Sequence, residues 1–166
     1  FIIILAVAGV TAFNLFYFFS IVNSFNPLKV IVGQEARGEY LTRILRFSPL
    51  PAFRFINENL KDDDTVFFVG EQRTFYCKRK VVASNVFAPN PLIEWADRAS
   101  DPEELRREFK LRKISHIFYN TREAERLRGY GILDFSEKGL ENWVGLLRKL
   151  ERNVIFSQRN LIIYQL

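Results

Sequence analysis

From Phe1 to Leu28 the chain carries no Asp, Glu, Lys, Arg or His, so all 24 basic and 19 acidic residues fall between Lys29 and Leu166. Within that opening, FIIILAVAGVTAFNLFYFFSIVNSF is an unbroken run of 25 uncharged, mostly apolar residues. As an α-helix rising about 1.5 Å per residue it reaches roughly 37 Å, beyond the ~30 Å hydrocarbon layer of a bilayer. A cleaved signal peptide would show a basic n-region and an apolar stretch of only about 7 to 15 residues. Neither is present, and residues 1–25 are read as a membrane-spanning helix. The first residue lies inside the apolar run and is not Met, so the chain reads as a fragment of a longer protein. Asn14 interrupts the run. Polar side chains in spans usually face a neighbouring helix or a cavity, which hints at a multi-helix protein, although an amide satisfied locally in a simple anchor fits as well.

The remainder is a different kind of sequence. The whole chain, at 166 residues, has the length to bury a core, and its net charge of +5, all of it past Leu28, is a mildly basic balance that suits an anionic membrane surface or a phosphorylated ligand. Acidic residues are interspersed throughout, and Lys78-Arg79-Lys80 is the one short basic run. A nucleic-acid stripe would cluster its cations with aromatics, so no nucleic acid is expected. The single cysteine, Cys77, cannot form an internal disulfide and reads as a small hydrophobe beside a strand. With one histidine, His116, and one cysteine, no metal cluster of the usual kind can be assembled. Asp62, Asp63 and Asp64 could hold a hard cation, but three carboxylates ahead of a strand read as a solvated turn. Neither metal nor cofactor is expected.

Residues 26–64 form a connector punctuated by Pro27, Gly33, Gly38, Pro49 and Pro51. Two short helices fit it, one over 35–45 and one after Pro51 with Phe53, Ile56 and Leu60 on one face. Residues 65–166 then alternate as an α/β layer domain. TVFFVG, KVVAS and SHIFYN read as buried strands. Asp101 caps a helix with Pro102 at its first position and Glu104 three residues after the cap. Glu103 with Arg107 and Glu108 with Arg112 are spaced for i,i+4 ion pairs. Thr121 and Ser136 read as further caps, the second opening a stripe of Leu140, Trp143, Val144, Leu147 and Leu150. NVIFSQRNLIIYQL closes the chain at hairpin spacing. The expected fold is a small mixed, largely parallel sheet of about five strands flanked by helices and ending in an antiparallel hairpin.

A glycine after a hydrophobic strand, followed by charge, is where open α/β sheets place ligands. The loop after Val69 has neither the repeated glycines of a dinucleotide loop nor the Gly-Lys-Ser/Thr of a P-loop, which disfavours a nucleotide-dependent enzyme. It does bring a carboxylate, a fork of N–H donors and a phenol to one strand end in Glu71, Arg73 and Tyr76, a set able to bind a polar head group. The structural alternative is that Glu71 and Arg73 pair with neighbours while Tyr76 packs down. An exposed pair would contribute only about 0 to 1 kcal/mol to folding, so position favours an interface role for Arg73.

GQEARGEYL, then AFRFINENLKDDDTVFFVGEQRTFYCKRK, LRKISHIFYN and a terminal LIIYQL resemble the C-terminal end of bacterial polytopic glycosyltransferases. The group is family 39 of the GT-C superfamily, which includes protein mannosyltransferases and aminoarabinose transferases. The likeness runs over nearly the whole chain, is carried by F-I-N-E-N-L followed by V-G-E-x-R-x-x-Y, and is weakest over 133–152. It implies a many-helix membrane domain that transfers a sugar from a polyprenyl phosphate, with a soluble C-terminal domain on the extracytoplasmic side of the bacterial plasma membrane. The family's catalytic carboxylate lies in a first extracytoplasmic loop upstream of Phe1, so the resemblance implies no catalytic residue here. It also implies as partners the bilayer, the upstream membrane domain, and the lipid-linked sugar or its acceptor. The rival expectation is a single-span, membrane-anchored binding or interaction domain without enzymatic activity.

Overall fold

The computed structural model describes residues 1–45, 48–85 and 87–166, and the chain divides into two compact units, 1–48 and 49–166.

In the first unit, α1 (Ile2–Phe25) buries none of its side chains. Among the described residues it is the one helix long and apolar enough to cross a membrane. It stops at Asn26, which turns left-handed at φ 46° and returns its N–H to the Val22 carbonyl, a conformation asparagine tolerates better than most residues. Two short helices follow, α2 (Leu28–Ile31) and α3 (Arg37–Ile44), the latter within the span expected from the sequence. Arg43 of α3 meets both carboxylate oxygens of Glu35 at 2.9 and 2.8 Å and donates to the Phe25 carbonyl at 3.2 Å. That carbonyl is one of those a helix end leaves without an internal partner.

The second unit opens with α4 (Leu50–Asn59) and then builds a five-stranded sheet. The strands are β1 (Thr65–Val69), β2 (Lys80–Val82), β3 (His116–Asn120), β4 (Val154–Gln158) and β5 (Leu161–Gln165), in spatial order β2-β1-β3-β5-β4. β1 runs parallel to β2 and β3, while β5 is antiparallel to β3 and β4. The fold is therefore the mixed α/β arrangement expected, parallel at first and closed by a hairpin. The other helices are α5 (Pro91–Arg98), α6 (Pro102–Leu111), α7 (Thr121–Arg128) and α8 (Glu137–Lys149).

Every residue of β1 is buried, because both faces of the sheet are covered and a strand in that position reads as a continuous apolar run. Alternate side chains serve the two faces. Phe67, Val69 and Ile117 pack with Trp95, Phe109 and Leu146 on one side, and Val66, Phe68 and Phe118 with Phe53 and Ile56 of α4 on the other. On the α4 side, Phe53 stacks on Phe68 at 5.6 Å and meets Phe118 edge-on at 5.8 Å. So α4, which the sequence places in the connector, supplies one wall of the core.

Local signals mostly hold, with three exchanges of partner. Asp101 accepts from the N–H groups of Glu103 and Glu104 at 2.7 and 2.9 Å, but the Glu104 carboxylate takes the Ser100 N–H instead of reaching back to Asp101. Glu108 pairs with Arg112 as expected, whereas Glu103 reaches Lys149 on α8 at 2.8 Å. Tertiary packing sets a better-placed cation beside it than the helical spacing does. Asn120, and not Thr121, caps α7, its side chain accepting from the Glu123 N–H at 3.3 Å.

Candidate functional site

β1 and β3 are parallel and end side by side, and β5 starts there because Asn120 registers with Leu161. One edge of the sheet thus gathers the loop after Val69, the entry to α7 and the β4–β5 turn. Gly70 is required at this edge for two reasons. Its φ of +78° is left-handed, and a Cβ would lie 2.4 Å from the Asn120 carbonyl oxygen and 2.6 Å from the Ala124 nitrogen. Only glycine gives that conformation and that approach at low cost.

The residue after it, Glu71, is 3 % exposed. Its Oε1 accepts from the backbone N–H groups of Gln72 and Arg73 at 3.1 and 3.0 Å and from Arg73 Nε at 2.8 Å. Its Oε2 accepts from Arg73 Nη2 at 2.8 Å and from Asn120 Nδ2 at 3.1 Å. A carboxylate has about four lone-pair sites, and these five contacts fill them. Hydrogen bonding to Glu71 holds the Arg73 guanidinium above its ordinary range, and the side chain stays 52 % exposed. Asn120, fully buried, carries the network onward: its Oδ1 accepts from Asn160 Nδ2 at 2.7 Å as well as capping α7. Nearby, Asn90 caps α5 through the Leu92 N–H and donates to the Phe68 carbonyl at 3.3 Å. The edge is a set of buried amides and one carboxylate that tie strand ends to helix starts.

The structure therefore brings two of the three sequence candidates together. Glu71 and Arg73 form a two-pronged pair, while the Tyr76 ring meets Phe75 edge-on at 5.1 Å. Asn120, Asn160 and Asn90 were not singled out by sequence reading. For Asn120 a signal existed, since an asparagine at a strand end before a helical pattern is a preferred N-cap. The other residues weighed in the sequence are structural. His116 is buried in β3 with Nδ1 2.9 Å from Ser115 Oγ and 3.7 Å from Asp64. Cys77 packs against the α4 side of the core, and burial pushes its thiol up. Asp62 pairs with Arg79 at 3.2 Å while Asp64 accepts from the Lys61 N–H at 2.8 Å, so the acidic run is divided between different partners. Among the described residues no group of three or more His, Cys, Asp or Glu could hold a metal ion.

Two clefts flank α7. One, of about 460 Å³, is lined by Phe87, Pro89, Arg126, Tyr130 and their neighbours. The other, of about 360 Å³, lies between α7 and α8, with Tyr119, Phe135, Leu140, Trp143 and Leu147 in its wall and Glu125 and Arg128 among the polar lining. Leu140, Val144 and Leu147 of the expected α8 stripe stay half-buried there, and Leu146 joins Trp143 and Leu150 in the core.

No protein-family model, curated protein or solved structure matches the chain.

Proposed function

We propose that this chain is the last membrane helix and the non-catalytic, extracytoplasmic α/β domain of a bacterial plasma-membrane glycosyltransferase that draws its sugar from a polyprenyl phosphate. The observation that carries the reading is the state of Glu71. In the loop with the V-G-E-x-R-x-x-Y pattern, the carboxylate is filled by Arg73, Asn120 and two backbone N–H groups. A general base must reach its substrate's proton with a free lone pair, and Glu71 has none to offer. The loop organises the sheet edge and leaves chemistry to another part of the enzyme.

The apolar helix α1, with no buried side chain, supplies the anchor on this reading, since a helix apolar on all sides suits a membrane span, where all its backbone groups are paired within the helix. Expressed in a bacterial membrane, the chain resists extraction by alkaline carbonate, and the purified chain in vesicles transfers no sugar from polyprenyl-phosphate donors. Release by carbonate would remove the anchor. Turnover above the protein-free blank would place catalysis within these residues and overturn the non-catalytic assignment.

A further inference from the structure

The crossover from β1 to β2 holds a feature that the Glu71 network does not use. In the turn Thr74 to Lys78, Phe75 is 87 % exposed and Tyr76 is 41 % exposed, their rings in edge-to-face contact. The turn beneath them is fixed at several points. The Cys77 N–H donates to the Thr74 carbonyl at 2.9 Å. Asn57 of α4 grips both sides, donating to the Tyr76 carbonyl at 2.8 Å and accepting from the Lys78 N–H at 2.7 Å. Arg79 donates to the Leu60 and Asn57 carbonyls at 2.9 and 2.8 Å, and Cys77 packs into the α4 side of the core. Two aromatic rings are thus held out into solvent by a clamped turn, so little ordering is left to do when something covers them.

Along the crossover the free charge is basic, the exposed Asp62 nearby being paired with Arg79 at 3.2 Å. Between Glu71 and Glu94 the sequence contains no acidic residue, while Lys78 lies in the turn and Lys80 follows it, both exposed. A stable protein interface needs about 800 Å² from each partner, and two aromatic side chains offer at most about 150–250 Å² each. A lipid surface asks for less. Aromatic rings sit at the headgroup level of bilayers, and each nearby lysine favours an anionic surface.

We infer that the turn Thr74–Lys78 is a bilayer-contact site, with Phe75 and Tyr76 entering the interfacial layer of an anionic membrane and Lys78 and Lys80 facing its lipid phosphates. This inference rests on the anchoring of the chain by α1 and is independent of glycosyl transfer. The test uses the full chain carrying Phe75→Trp, reconstituted into phosphatidylcholine vesicles with and without phosphatidylglycerol, with acyl chains brominated to quench tryptophan. The signal of the buried Trp95 and Trp143 is subtracted with the unsubstituted chain, and Tyr130→Trp serves as an exposed control away from the turn. The tryptophan at position 75 shows blue-shifted, quenched emission in the anionic vesicles, and the one at position 130 does not. Adding Lys78→Ser and Lys80→Ser lowers the ratio of docked to undocked turn by about fivefold per lysine.

Water-like, unquenched emission from position 75 in both vesicle types would overturn the inference. So would equal quenching at 75 and 130, which marks unspecific adhesion, or a blue shift without quenching, which marks contact with protein. Carbonate release of the chain from the same vesicles is scored separately, because it refutes the anchor itself.

Discussion

Glu71 sits almost out of reach of water, held by two backbone N–H groups, the Arg73 fork and the Asn120 amide. An exposed ion pair at a loop would contribute about 0 to 1 kcal/mol, which is the basis for expecting an interface role for Arg73. Burial of its partner changes that estimate. With Arg73 removed, Glu71 stays buried and loses its charged donor, and a hydrogen bond to a charged group is worth about 1.5–3 kcal/mol. Breaking a fully buried pair costs about 3–5 kcal/mol, but the Arg73 side chain is half in solvent and the effect is smaller. Arg73→Ala therefore lowers unfolding free energy by about 1–3 kcal/mol in urea titrations. The double substitution with Glu71→Gln costs less than the sum of the two singles, since a neutral amide needs no cation. Additive losses would mean that the two side chains act apart.

Among the elements, β3 carries the chain's one histidine in its buried face. Burial pushes the His116 imidazole below its ordinary value of 6.5, with the Asp64 carboxylate opposing the shift. The unfolded chain then binds a proton near pH 6.5 that the folded chain refuses until lower pH. Stability contributed this way is full above 6.5 and is lost as pH falls toward the folded value. Asp64 behaves in the same direction at lower pH: burial tends to raise its carboxyl, but hydrogen bonds from Ser115 and the Lys61 N–H hold it below 3.8. Between pH 6.5 and about 5.5, below which glutamates begin to titrate, His116 dominates. Thermal melts thus fall across that interval, and His116→Leu flattens the decline there while leaving the acid limb below it. An unchanged slope in His116→Leu would assign the decline to other groups.

For the whole molecule, the boundary of the second unit matters more than any one contact. The unit begins at Pro49, and α4 provides Phe53 and Ile56 to the face formed by Val66, Phe68, Phe118 and Ile163. A fragment of residues 49–166 is expected to unfold in one cooperative transition. A fragment of residues 65–166 leaves that face open to water, and burying side chains of this size is worth about 1.5–3 kcal/mol each. It binds the hydrophobic dye ANS and loses its sharp melt. Equal cooperativity in the two fragments would mean that α4 is dispensable.

The sequence by itself determined what depends on neighbours along the chain. The apolar run of α1, the continuous hydrophobic strands, the Asp101 and Ser136 caps and the closing hairpin all follow from interactions within a few residues, where composition and spacing suffice. What only the tertiary structure decided involves groups far apart in sequence. Glu71 and Asn120 are 49 residues apart, Asn120 and Asn160 are 40 apart, and Glu103 and Lys149 are 46 apart. The side of the boundary to which α4 belongs was set the same way, by packing against strands that come later. The physical reason is that a charge or amide pairs with whatever the folded chain sets within about 3 Å, and helical spacing is one of several ways to be that near. Sequence spacing gave Glu103 a partner in Arg107. Packing gave it Lys149, and turned Glu71 from a candidate ligand-binding group into the fastening of a sheet edge.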